Sequence, residues 1–243
     1  MNMKKGILAV GVLAVAACTL TMYCRAVGCE TRSEGENVPR SVSDRPVDAA
    51  AEGIRGRSLV VYFSVPETDG VDASSGASRI LSDGKVMGNT QYAATVIGEA
   101  TGSDLFEIKT VRTYPGSHKA LIDAAKAEID GGARPKLATH IGNLSDYDVV
   151  FVGFPNWWYD MPMPLYSFFD EYDFSGKTVI PFCTHGGSRF SGAIETIREL
   201  EPRAAVLDGY AIARDRVADS EDGILKWLER IGMKRPQEER NGR

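Results

Sequence analysis

Val149-Val150-Phe151-Val152-Gly153-Phe154-Pro155-Asn156-Trp157-Trp158-Tyr159 contains both the strand and the loop on which the reading of this chain turns. Val149 to Val152 is an unbroken run of β-branched and aromatic residues, the pattern of a strand buried on both faces. After Phe154 the run gives way to Pro155, the polar Asn156 and three consecutive aromatics ahead of Met161-Pro162, which reads as a loop rather than sheet interior.

The same pattern recurs on either side. Leu59-Val60-Val61-Tyr62-Phe63 is a second buried run and Thr178-Val179-Ile180-Pro181-Phe182 a third, the latter weakened by Pro181, which cannot donate to a ladder. Leu105-Phe106-Glu107-Ile108 and Ala205-Val206-Leu207 are shorter and suit outer strands. Between these runs the period changes. Ala93, Val96, Ile97 and Ala100 fall at i, i+3, i+4, i+7, as do Phe190, Ala193, Ile194 and Ile197, and Ile224, Trp227, Leu228 and Ile231. A weaker helix is expected from Ser117 to Asp130, closed by Gly131-Gly132. Strands alternating with amphipathic helices predict right-handed βαβ crossovers, hence an α/β doubly wound parallel sheet with helices on both faces.

In such a sheet ligands bind beyond the carboxyl ends of the strands. Three segments follow those ends. Ser64 opens a Gly/Ser/Asp-rich stretch that leads to Gly88-Asn89-Thr90 at a helix start. Pro155 to Tyr159 follow the strand at 149, and Thr184-His185-Gly186-Gly187-Ser188 follow the third run. A helix N-terminus with Gly88 for close approach and hydroxyl or amide donors from Ser64, Asn89 and Thr90 suits a phosphate monoester without Lys or Arg. Taken alone, Gly88-Asn89-Thr90 reads equally as a helix N-cap. Trp157, Trp158 and Tyr159 offer flat faces for stacking, and Asn156 a polar contact. Thr184 and the Gly186-Gly187 backbone offer donors, with a glycine pair able to flip its peptide; His185 reads as a ligand contact or as an exposed loop histidine.

These three segments, in this order, resemble the flavodoxin family over roughly residues 58–233. The resemblance implies a five-stranded parallel sheet of order 2-1-3-4-5, with FMN at the switch point. It implies further that Ser64 and Gly88-Asn89-Thr90 hold the phosphate, while Pro155–Tyr159 and Thr184–Gly187 flank the isoalloxazine ring. Asp160, next to the aromatics, is then expected to disfavour an anionic reduced flavin. The chain departs from the family at residues 65–87, an interruption of a normally short phosphate loop that is expected to form a small hairpin or flap. An electron shuttle is the function implied, with a redox protein or a quinone-like acceptor as partner. An FMN-dependent NAD(P)H or quinone reductase, or a flavin-free binding module, are the alternatives. A serine hydrolase built on His185 and Ser188 or Ser191 is disfavoured, because the Gly-x-Ser-x-Gly elbow is missing. No catalytic residue is assigned.

The N-terminus adds a location. Lys4 and Lys5 precede an apolar run from Ile7 to Ala17, about the length of a signal peptide's hydrophobic region and too short to span a bilayer. It ends in Val15-Ala16-Ala17-Cys18, which resembles a bacterial lipobox, so residues 1–18 are expected to be a lipoprotein signal with Cys18 acylated. The other reading is a plain secretory signal cleaved near Ala17. Residues 19–57 are polar, with few large apolar groups, and read as a tether to a domain at 58–233; residues 234–243 read as a solvated tail. The expected location is therefore the cell envelope, with a lipid anchor in the membrane. Cys24 and Cys29 leave two readings, a disulfide or two free thiols, and Cys183 reads as a small buried hydrophobe. The histidines His118, His140 and His185 are far apart and no Cys/His spacing suggests a metal. A net charge of -5 argues against a nucleic-acid partner.

Overall fold

The computed structural model describes residue 54, residues 56–68 and residues 78–235. The expected signal segment, Cys18, the Cys24 and Cys29 thiols and nearly all of the tether lie outside these residues, as does 236–243 of the expected tail. Among the described residues no helix is long and apolar enough to cross a membrane.

The three apolar runs form the centre of a parallel sheet: β1 (Ser58–Tyr62), β5 (Val149–Pro155) and β6 (Thr178–His185). Their side chains alternate between two layers. Val60, Phe151, Ile180 and Phe182 meet Ile97 and Trp227 from α1 (Asn89–Thr101) and α5 (Glu221–Arg230). Val61, Val150, Val152 and Cys183 meet Phe168 and Ile197 from α3 (Met163–Glu171) and α4 (Ala193–Leu200) on the other face. The Cys183 thiol is fully buried, which raises its pKa and leaves it a packing group. β4 (Asp104–Glu107) is the half-exposed edge strand beside β1. α2 (His118–Asp130), with Ser117 as N-cap and Gly131 as C-cap, lies against α3, with Arg134 Nε 2.6 Å from Asp170.

The strand order is β4-β1-β5-β6-β7, the 2-1-3-4-5 arrangement expected. Its fifth position differs in detail, being shared by two short strands. β7 (Ala205–Val206) pairs with Thr178 and Val179 at the start of β6, and β8 (Tyr210–Ala213) pairs with Phe182 to His185 at its end. The cause is Pro181. Val179 O accepts from Leu207 N (3.0 Å), so by alternation Pro181 faces the same neighbour, where it has no N–H to give. The partner strand breaks opposite it, at Leu207-Asp208-Gly209, and a central proline is thereby tolerated. The break needs a residue without a side chain, because a Cβ at position 209 would stand 1.9 Å from the Pro181 carbonyl oxygen.

Two further elements refine the sequence expectation. The segment after β1 contains an antiparallel hairpin, β2 (Arg79–Ser82) and β3 (Lys85–Gly88), turned by Asp83-Gly84 at positive φ. α3 is not among the helices expected above: Pro162 caps it, Pro164 sits in its first turn, and Met163, Leu165, Phe168 and Phe169 are all buried. A first-turn proline loses no helical hydrogen bond. Arg235, at the start of the expected tail, donates its backbone N–H to Ala100 O (3.0 Å).

Gly209→Ala is expected to destabilise the protein by about 1–3 kcal/mol, because a backbone carbonyl cannot yield to the added methyl. Urea unfolding checks it; an unchanged midpoint would show that the β7–β8 break does not depend on that close approach.

Candidate functional site

The ends of β1, β5 and β6 open onto one cleft of about 610 Å³. Ser64 stands at its first corner, where the hydroxyl covers the start of α1; a Cβ on Gly88 would fall 2.0 Å from Ser64 Oγ. Gly88 thus allows the contact without lining the cleft, and the same holds for Asn89, whose side chain is buried. The Asn89 amide donates to Ser78 O (2.9 Å) and the Gly88 amide to Gln91 Oε1 (3.3 Å). Thr90 is the member of this trio that lines the cleft. Its Oγ1 lies 2.9 Å from Thr184 Oγ1, both groups buried, tying the start of α1 to the end of β6. No acidic residue occupies the first turn of α1, whose N-terminal dipole end favours negative charge.

The loop after β5 is a tight turn closed by Trp157 N to Asp160 O (2.9 Å) and Asp160 N to Trp157 O (3.1 Å). Its two central residues, Trp158 (φ 52) and Tyr159 (φ 68), are left-handed. Non-glycine residues pay roughly 1–2 kcal/mol each for that conformation. The three aromatics therefore separate in role. Trp157 is wedged edge-on between Phe63 (5.5 Å) and Tyr114 (5.4 Å). Trp158 leans on α2, donating Nε1–H to Ile122 O (3.0 Å) under the Lys126 ammonium (5.8 Å from the ring centre). Tyr159, 72% exposed, stands at the rim. Asp160 does not line the cleft: its carboxylate accepts from Met161 N (2.7 Å) and Tyr166 Oη (2.6 Å), holding the turn from behind. Burial and this bond raise the Tyr166 pKa.

Asn156 joins this loop to the next one. Its amide N–H donates to Thr184 O (2.8 Å) and its Nδ2 to Arg189 O (2.8 Å). Pro155 and Asn156 both line the cleft, as do Thr184, His185, Gly186 and Gly187 on the adjacent strand end. His185 Nδ1 accepts the Gly187 N–H (2.9 Å), so the neutral ring carries its proton on Nε2. Burial first, and the Arg189 cation second, lower the His185 pKa below the ordinary histidine value, with Asp215 opposing.

The cleft also has walls that sequence reasoning did not assign. Leu121, Ile122 and Ala125 of α2 supply an apolar side, Glu67, Ser78 and His118 a polar one, and Arg214 stands at the end of β8. Arg214 follows a strand end, the rule used for the other segments, but the strand before it was not recognised. His118 is the first residue of the helix expected from Ser117, yet its partner Glu67 lies far away in sequence.

The comparisons with known proteins agree with this geometry. A flavodoxin family profile matches residues 81–231. A protein from Bacteroides eggerthii assigned as a flavoprotein is 27% identical, with 74% of this chain and 100% of that one covered, at a TM-score of 0.57. Another from Bacteroides uniformis, also assigned as a flavoprotein, is 28% identical, with 72% and 98% covered, at a TM-score of 0.56. No curated protein matches the chain. With its parallel sheet, its cleft at the strand ends and a profile match over most of its length, the chain belongs to the flavodoxin family.

Proposed function

We propose that the cleft holds FMN and that the protein is an electron carrier working outside the cytoplasm, tethered by a lipid on Cys18. The observation that carries the flavin reading is the convergence of the segments after β1, β5 and β6 on one cleft, at the place where an open parallel sheet binds ligands. The volume of about 610 Å³ suits a cofactor of this size. The donor set also fits: hydroxyls at a helix start for the phosphate, backbone and side-chain donors after β6 for the ring edge. FMN, when bound, supplies the electron chemistry; the chain binds, orients and shields it.

One of the Thr90 and Thr184 hydroxyls donates to the other, which leaves the accepting hydroxyl's own proton to aim at the ligand. All three aromatics line the cleft. Half-buried Trp157 is held edge-on by Phe63 and Tyr114 and Trp158 rests on α2, so Tyr159, the most exposed, is the ring with most freedom to cover a flat face. Neutral His185 holds the Gly187 amide and so fixes the turn that carries the Gly186 and Gly187 peptides. One observation favours a second reading, an FMN-dependent NAD(P)H or quinone reductase: Arg214 places a cation on the cleft lining, suited to a second, anionic ligand. The membrane tether rests on the sequence pattern ending at Cys18, and with it the reading of a redox partner in the envelope.

Titration of the purified protein with FMN should quench flavin fluorescence and give a yellow complex. Thr90→Val should weaken FMN by roughly 10-fold and riboflavin less. A protein that takes up no FMN would be a flavin-free binding module instead. Reduction of the complex in two separate one-electron steps fits a carrier, whereas rapid direct reduction by NAD(P)H marks a reductase. In an NMR titration the His185 ring should protonate below 6.5, and Arg189→Ala should move it upward. Folding holds this ring neutral, so its contribution to stability is complete above the unfolded-state value and is lost as pH falls from there through the lower folded-state value; a ring titrating at or above 6.5 would overturn the assignment. Cys18→Ser should abolish incorporation of labelled fatty acid, and undiminished labelling would remove the anchor from Cys18.

A further inference from the structure

Glu67 is the buried charged group of the cleft to which the function above gives no task. It is 4% exposed yet lines the cleft. Its backbone is fixed on both sides, the Glu67 amide donating to Ser78 Oγ (2.9 Å) and Arg79 Nη1 donating to the Glu67 carbonyl (2.6 Å). One carboxylate oxygen, Oε1, lies 2.7 Å from Nδ1 of the half-exposed His118 ring. The other, Oε2, is buried without a hydrogen-bond partner. A buried carboxylate oxygen lacking a donor is costly, and a native fold keeps such an atom where something from outside completes it.

What completes it must be a donor. A phosphate is excluded as the direct partner, because it offers acceptors and like charge. Yet Glu67 is close to the phosphate end: Ser78, which holds the Glu67 amide, also accepts the Asn89 amide at the start of α1 (2.9 Å). The flavin ring belongs at the other end, between the loops at 155–159 and 184–188. The donors of FMN next to its phosphate are the hydroxyls of the ribityl chain.

We propose that Glu67 Oε2 accepts a hydrogen bond from a ribityl hydroxyl, with His118 as the positioning residue that holds the carboxylate in place. The inference rests on the flavin reading and adds to it a basis for selection: the cleft prefers flavins that carry a polyol chain. Glu67 keeps the phosphate away from its own wall and leaves it to the α1 terminus, so chain and phosphate are read by different residues.

The test uses the full chain and two probes, riboflavin and lumiflavin, the second lacking the polyol chain, with binding followed by fluorescence quenching. Glu67→Leu removes the acceptor at similar size. It should weaken riboflavin about 10- to 100-fold, the worth of one charge-assisted bond, and leave lumiflavin within about 2-fold. Retained lumiflavin binding also shows that the variant is folded. Should Glu67→Leu fail to fold, Glu67→Gln keeps size and polarity while removing the charge, and should cost riboflavin about 3- to 10-fold with lumiflavin unchanged. Riboflavin binding unchanged in the variants, or both flavins weakened alike, overturns the role of Glu67 while FMN binding by the wild type stands. A wild type that binds neither FMN nor riboflavin overturns the flavin reading itself and this inference with it.

Discussion

Burial of β1, β5 and β6 on both faces is the constraint from which the rest of the structure follows. A strand covered above and below cannot turn back on itself; each must leave the sheet, cross over through a helix and re-enter in parallel. Every crossover begins at the same edge, so the segments after Phe63, Pro155 and His185 are brought together however far apart they lie in sequence. The Thr90–Thr184 hydroxyl pair fastens this edge, joining the helix of one crossover to the strand that begins another. The cleft is thus a consequence of strand direction, and its chemistry was open to whatever residues stood at those ends.

This explains why so much of the molecule was legible. Runs such as Leu59–Phe63 and Val149–Val152 have one reading, and the i, i+3, i+4, i+7 patterns place α1 and α5 with their apolar stripes on the sheet. Once parallel order is accepted, the cleft-lining loops can be named. The illegible parts depend on interactions between distant residues. α3 hides because Pro162 and Pro164 look like breakers, although Leu165, Phe168, Phe169 and Tyr172 behind them keep the helical period. The break between β7 and β8 answers to Pro181, on another strand, and to the missing side chain of Gly209. Glu67 and His118 are an ordinary Glu and His until the fold sets them 2.7 Å apart.

Asp160 illustrates how proximity in sequence misleads. Next to three aromatics it reads as a charge aimed at a ligand, but in a two-residue turn the closing residue points backwards, and its carboxylate is taken up by Tyr166 and the Met161 amide. Besides His185, the ionisable groups that line the cleft come from elsewhere: Glu67 from the segment after β1, His118 from the start of α2, Arg214 from the end of β8.

The turn at Trp158 and Tyr159 carries the argument one step further. Asn-Gly or Asp-Gly would form it without strain, as Asp83-Gly84 nearly does in the β2–β3 hairpin. Here two bulky aromatics are held left-handed, and the surroundings over-determine that conformation: two backbone bonds close the turn, Asp160 is pinned from behind, half-buried Trp157 is wedged between Phe63 and Tyr114, and the Trp158 indole is tied to α2. Strain kept in place by so many contacts is not a defect that packing failed to remove. Its effect is to stand Tyr159 at the mouth of the cleft on a support that cannot relax, so that an exposed aromatic face is positioned before any ligand arrives. A more comfortable turn would have cost the fold less and left the cleft without it.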